Sequence, residues 1–117
     1  MKLPALLVVL LPLALLLLGC TATRDVKTAV CLVKKQPGEN QCLEKLAIDS
    51  KDVSPCHRIK LLSNANGTIL LPTKNTCYAQ VAFWKADPAV CDGLNTETEK
   101  SECRHRYDLY VETAKVK

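Results

Sequence analysis

The chain reads as an all-α protein, a small disulfide-braced bundle of helical hairpins. Three observations predict this class. Beyond position 20 six cysteines follow, at 31, 42, 56, 77, 91 and 103, and an even number in a short exported segment is the pattern of a disulfide framework. Helix caps and helix-spaced apolar residues recur along the whole segment. Two stretches, 42–56 and 77–91, also align at an offset of 35 residues with cysteines at both ends.

That alignment organises the rest. Leu46 falls on Val81, Ala47 on Ala82, Asp52 on Asp87 and Ile59 on Leu94. The outer cysteines extend the scheme, because Ala29-Val30-Cys31 resembles Ala89-Val90-Cys91. Cys103 with Tyr107 likewise resembles Cys77 with Val81. One cysteine type (Cys42, Cys77, Cys103) opens a longer helix, and the other (Cys31, Cys56, Cys91) lies in the segment before it. Helical repeat units of this kind stack on their neighbours.

Element by element, Asp25 is placed to cap a first helix whose inward face would be Val26, Ala29, Val30 and Val33. Pro37-Gly38 ends it. Asn40 caps a second helix that buries Cys42, Leu43, Leu46 and Ala47. Ser54-Pro55 and Asp87-Pro88 each read as a cap followed by a first helical residue. Thr76 starts a third helix carrying Cys77, Tyr78, Val81 and Ala82, and Gly93 suits a left-handed stop. Thr96-Glu97-Thr98-Glu99 is a capping box. Behind it Cys103, Tyr107, Tyr110, Val111 and Ala114 trace a buried helical stripe. Asn66-Gly67 permits a small hairpin between Ile59–Leu62 and Ile69–Leu71. Those flanks lack clean alternation, so an ordered loop is expected over residues 59–72.

Pairing follows from reach. Bonded cysteines hold their Cα atoms about 5.5 Å apart, whereas Cys77 and Cys91 would flank a helix of about nine residues, roughly 14 Å long. Cys91 and Cys103 sit on either side of a turn near Asn95, and Cys31 and Cys42 straddle Pro37-Gly38. Cys56 and Cys77 remain, across the longer loop. The expected pairs are Cys31–Cys42, Cys56–Cys77 and Cys91–Cys103. A rival scheme, Cys42–Cys91 with Cys56–Cys77, needs long helices that Pro55 and Pro88 interrupt.

The seventh cysteine, Cys20, belongs to a different pattern. Lys2 is followed by a nearly unbroken aliphatic run over residues 3–18, and Leu17-Leu18-Gly19-Cys20 closes it. This resembles the signal peptide and lipobox of bacterial lipoproteins. The resemblance covers residues 1–20 and implies cleavage before Cys20, lipid on its thiol and acylation of the new amino terminus. The implied layout is a signal peptide at 1–19, a lipidated tether at 20–24 and a cysteine-rich helical domain at 25–117. Thr21 stands where an aspartate would favour inner-membrane retention in Gram-negative families, which implies the periplasmic face of the outer membrane. An ordinary secretory signal cleaved after Ala22 is the alternative, and Asn66-Gly67-Thr68 would then be a glycosylation acceptor. The apolar run is short of the roughly 20 residues of a transmembrane helix.

Residues 20–117 carry 15 Lys plus Arg against 12 Asp plus Glu. A balance of +3 is too slight to argue for nucleic acid or an anionic membrane surface, and Arg104-His105-Arg106 reads as a solvated helix face. His57 beside Cys56, and His105 near Cys103, match no zinc spacing, and an oxidising compartment would consume the thiols. There is no Cys-x-x-Cys, no Gly-x-Ser-x-Gly and no glycine-rich phosphate loop, so no cofactor or metal is expected. Asp49, Asp52, Asp87 and Asp92 read as caps rather than as an acid–base pair. Trp84 follows Phe83 on one helix, and a helix seldom buries two successive rings equally, so Trp84 is the candidate contact residue. The expectation is a non-enzymatic binding or scaffold protein of the envelope, held by the lipid on Cys20 and facing an envelope protein partner. The alternatives are an inhibitor or immunity-type protein, a small envelope hydrolase, and a eukaryotic secreted ligand.

Overall fold

The computed structural model describes residues 26–117. Cys20, Asp25, the aliphatic run and the tether lie outside the described residues. Four helices carry the chain: α1 over 26–32, α2 over Gly38–Ser50, α3 over Lys74–Lys85 and α4 over Glu97–Lys115. Short 3-10 segments, Ser54–Arg58 and Pro88–Gly93, follow α2 and α3. A two-stranded hairpin, β1 (Leu62–Ser63) and β2 (Ile69–Leu70), stands between the first 3-10 segment and α3. The protein is thus all-α apart from this small hairpin. Among the described residues no helix is long and apolar enough to cross a membrane.

The sequence repeat is a repeat of structure. α2 ends at Lys51 with φ 51° and ψ 42°, and α3 ends at Ala86 with φ 52° and ψ 40°. In each case the next residue's N–H reaches back to a helix carbonyl, Asp52 to Ala47 at 3.1 Å and Asp87 to Ala82 at 3.0 Å. That is the Schellman closure. The same two aspartates then accept from the backbone two residues on, Asp52 from Ser54 and Asp87 from Ala89, both at 3.0 Å, and this launches the 3-10 segment. Each unit is therefore a helix that folds back through a short 3-10 return.

Left-handed backbone at residues with a Cβ is unfavourable. Ala86→Gly removes that strain without touching a contact the side chain needs. We expect it to stabilise the protein by about 0.5–1 kcal/mol, measured as a rise in the urea midpoint at unchanged slope.

Long helices do not pair antiparallel here. Lys74 meets Glu99 at 3.7 Å, Asn75 donates to Glu102 at 3.1 Å, and Phe83 packs edge-on against Tyr110 with centroids 6.0 Å apart. Contacts advance together along both helices, so α3 and α4 run parallel. The second arm of each hairpin is the 3-10 return, which brings the chain back before the next helix starts.

α3 is the centre. Thr76, Cys77, Tyr78, Ala79, Val81 and Ala82 are all buried, and Leu43 and Ala47 of α2, Leu94, Cys56, Cys91 and Cys103 close around them. Gly93 is not a left-handed stop. It sits in the second return, where an added Cβ would lie 3.3 Å from the Tyr78 ring. Small size, rather than positive φ, is what the site requires.

Several expected caps move. Thr73, not Thr76, caps α3, and Thr76 completes the box by accepting from the Thr73 N–H at 2.8 Å. α2 starts at Gly38 after Pro37, so Asn40 lies within the first turn. Val53 precedes the first 3-10 segment without a side-chain cap, and the Asp52 carboxylate takes the Ser54 N–H and hydroxyl instead. Asp49 pairs with Lys45 at 2.9 Å and Asp92 pairs with Arg104, so neither is a cap. The expected loop over 59–72 is a hairpin, with Leu62 opposite Leu70 and Ser63 opposite Ile69. Asn64 closes its tip by accepting from Asn66 and Thr68 N–H groups, and Gly67 supplies φ 79°. The expected inward stripe of α1 faces water, with Val26 58%, Val30 53% and Val33 82% exposed. On α4 the stripe fades after Cys103: Tyr107, Tyr110 and Val111 are half-buried and Ala114 is exposed.

The Thr96–Glu99 box forms as expected. Glu99 accepts from the Asn95 N–H at 3.1 Å and the Thr96 N–H at 3.3 Å, and Thr96 Oγ1 accepts from the Glu99 N–H at 3.1 Å. The Asn95 bond, with Thr96 and Lys74 in support, holds the Glu99 carboxyl below its ordinary value of 4.5. A carboxyl depressed by folding adds stability that is present above its unfolded pKa and lost as pH falls through its folded pKa. Below about pH 4.5 the start of α4 therefore loosens. Glu99→Gln, which cannot ionise, flattens that part of the stability-versus-pH curve, and chemical denaturation at stepped pH reads it.

Candidate functional site

Cystine geometry comes first, because it sets where every surface lies. Cys31 bonds Cys42 with Cα atoms 5.3 Å apart, Cys56 bonds Cys77 at 5.7 Å, and Cys91 bonds Cys103 at 5.7 Å. Each bond ties the segment before a helix to that helix. Cys42 and Cys91 are not joined. All the half-cystines except Cys42 are buried.

The two histidines occupy different settings. His57 Nε2 lies 2.6 Å from the Tyr78 hydroxyl, and the rings meet edge-on at 5.5 Å. Burial first, then the charges of Asp52 and Glu99, raise the Tyr78 hydroxyl above its ordinary value of 10.0. It therefore stays protonated at neutral pH and does not serve as a base. His105 is exposed on α4 beside a shallow depression that Glu97, Ser101 and Glu102 also line. Among the described residues no group of His, Cys, Asp and Glu is arranged to hold a metal ion.

A polar knot at the start of α2 escaped the sequence reading. Asn40, 1% exposed, donates from Nδ2 to the Lys60 carbonyl at 2.7 Å and accepts at Oδ1 from the Lys60 N–H at 3.1 Å. Gln36 Nε2 donates to Glu39 at 3.0 Å and to Asn40 Oδ1 at 3.3 Å. Lys60 Nζ stands 3.5 Å from the buried Glu39 carboxylate. The knot ties the base of the hairpin and the α1–α2 loop to one end of α2. Asn40 was legible only as a cap, and its partner lies 20 residues away.

The knot gathers exposed aliphatic residues around itself. Leu61 is 72% exposed, Leu71 59% and Ile69 53%. Alternation from the Leu62–Leu70 pair puts Leu61, Ile69 and Leu71 on one face of the hairpin. Val33, at the end of α1, belongs to the same end of the domain. Two stretches of the sequence lack acidic residues. Residues 26–38 and 53–86 hold Lys27, Lys34, Lys35, Arg58, Lys60, Lys74 and Lys85 and no Asp or Glu. The small overall balance hides this arrangement.

Trp84 lies elsewhere, ten residues beyond Lys74, or about 15 Å along α3 at 1.5 Å per residue. It is 55% exposed and meets Phe83 edge-on at 5.5 Å, and Phe83 in turn packs on Tyr110. Leu109, 50% exposed, adds to the apolar surface of α4. Between α1 and α2 runs a cleft of about 440 Å³ lined by Val30, Leu46 and the Cys31–Cys42 bond, with Lys27, Lys45 and Asp49 around it.

Fold and surface together define a cystine-laddered helical repeat with two exposed apolar ends. No family model matches the chain, and neither a curated protein nor a solved structure is similar to it.

Proposed function

We propose that this is a lipid-anchored protein of the bacterial cell envelope, tethered through Cys20, that acts by binding or scaffolding rather than by catalysis. The exposed Trp84, braced edge-on by Phe83, which in turn packs on Tyr110, carries the reading. Partly exposed aromatic side chains on a rigid helix are the residues on which protein contacts concentrate their energy. His57 is engaged by Tyr78, which supports a structural role for that imidazole. The lipobox supplies the address, and Thr21 favours the periplasmic face of the outer membrane.

Envelope fractionation tests the tether. The wild-type chain is expected in the membrane pellet at high salt, and Cys20→Ala is expected to leave it. A photo-crosslinking residue at position 84 tests the contact: it should trap one discrete envelope protein, and a crosslinker at exposed Lys51 should not. Wild-type chain in the soluble fraction, or equal labelling from both positions, contradicts the proposal.

A further inference from the structure

We propose that the outward face of α1 lies in the interface of the bilayer that holds the acyl chains of Cys20. The inference rests on the lipid-anchored reading and adds to it the surface that meets the membrane. Successive residues of a helix turn by about 100°. On that wheel Val26, Ala29, Val30 and Val33, which follows the last turn, fall within an arc of about 100°, the width of the apolar stripe that a helix ordinarily turns to its core. Here the stripe turns outward. Val26 is 58% exposed, Val30 53% and Val33 82%, and Ala29 is exposed too. Cys31, buried, and Thr28, partly buried, lie about 150° from the centre of the stripe on either side and mark the packed face. The bond from Cys31 to Cys42, with Cα atoms 5.3 Å apart, fixes that face against α2 and keeps α1 from rolling to bury its valines.

Reach says what covers the stripe. Val26 stands six residues after Cys20, and six residues span at most about 21 Å at roughly 3.5 Å each. Lipid on Cys20 keeps the start of α1 within that distance of the bilayer. So short a tether makes the contact intramolecular, with an effective concentration on the order of millimolar. A few aliphatic side chains too weak to bind a bilayer from solution then stay on it. Charge around the stripe is mixed, with Lys27 at its edge and the Lys45–Asp49 pair across the cleft. The contact is therefore aliphatic and does not depend on anionic headgroups.

Bromolipid quenching tests the contact. Position 33 carries the probe, because it lies about 10 Å further along the chain axis than Val26 and so reports on the stripe rather than on the tether. The mature lipidated protein with Trp84→Phe and Val33→Trp is added to preformed phosphatidylcholine vesicles with brominated chains, and flotation reports attachment separately. The probe is expected to lose about half its fluorescence, as a ring seated roughly 5–10 Å into the interface would, at low and high salt alike. Adding Val26→Asp and Val30→Asp is expected to abolish the quenching while flotation persists. Intact disulfides and an unchanged circular dichroism spectrum verify each variant's fold.

Flotation without quenching at position 33 overturns the α1 contact and leaves the tether standing. No flotation overturns both. Quenching that survives the two aspartates, or that is lost in high salt, refutes the aliphatic stripe as the contact. A probe unquenched by bromolipid yet shielded from acrylamide in the water assigns the stripe to protein, a second copy or a partner, and equally overturns the proposal.

Discussion

Reduction of the three disulfides is expected to unfold the domain. Tyr78 is the largest fully buried side chain, and Leu43 and Val81 follow. Alanines and half-cystines supply most of the remaining interior. Such a core buries little apolar surface per residue, so the cross-links carry much of the stability. Sequence separations of 11, 21 and 12 correspond to about 3 kcal/mol each in the chain-entropy model. Together that rivals the 5–15 kcal/mol, roughly, of a whole domain. The Cys56–Cys77 bond closes the widest loop and anchors central α3. Replacing both cysteines by alanine should cost at least about 3 kcal/mol, more than the same change at Cys31–Cys42, which ties down only α1. Circular dichroism melts with and without reductant read this directly. A cooperative melt retained in strong reductant contradicts it.

Asn40→Ala is the second large effect. The amide satisfies both backbone groups of Lys60 and accepts from Gln36 Nε2, which also donates to Glu39. Truncation takes the amide from the Lys60 donor and acceptor, both in part-buried bonds, at about 1 kcal/mol each, so a total loss of about 2 kcal/mol is expected. Asn40→Leu, which fills the space and forms none of the bonds, should lose as much. Hydrogen exchange will show where: residues 60–71 lose protection first, while α3 and α4 keep theirs until global unfolding. A loss of under about 0.5 kcal/mol, the scale of an ordinary surface change, refutes the knot's role.

Much of the architecture was legible because the code was local or periodic. Thr96 and Glu99 sit three apart and form their box. The 35-residue offset predicts stacked units, and the matched turns at Lys51 and Ala86 are its physical content. Those turns themselves were hidden, since neither residue is a glycine and only tertiary closure makes a left-handed lysine or alanine tolerable. Direction was hidden as well. A helical hairpin implies antiparallel arms, yet the 3-10 returns let α3 and α4 run parallel. Apolar spacing marked a face on α1 but not what covers it. The hairpin fails the alternation test because its apolar residues lie on both faces, Leu62 and Leu70 on one, Leu61, Ile69 and Leu71 on the other. Trp84 stood out as the second of two adjacent rings.

Intact mass spectrometry of the chain purified from native membranes tests the central claim most directly. The account predicts a polypeptide beginning at Cys20 that bears a diacylglycerol thioether and an amide-linked acyl chain. It further predicts that no thiol is open to alkylation until reductant frees six. A bare Cys20 thiol, an amino terminus at Thr23, or a sugar on Asn66 in place of lipid would contradict it.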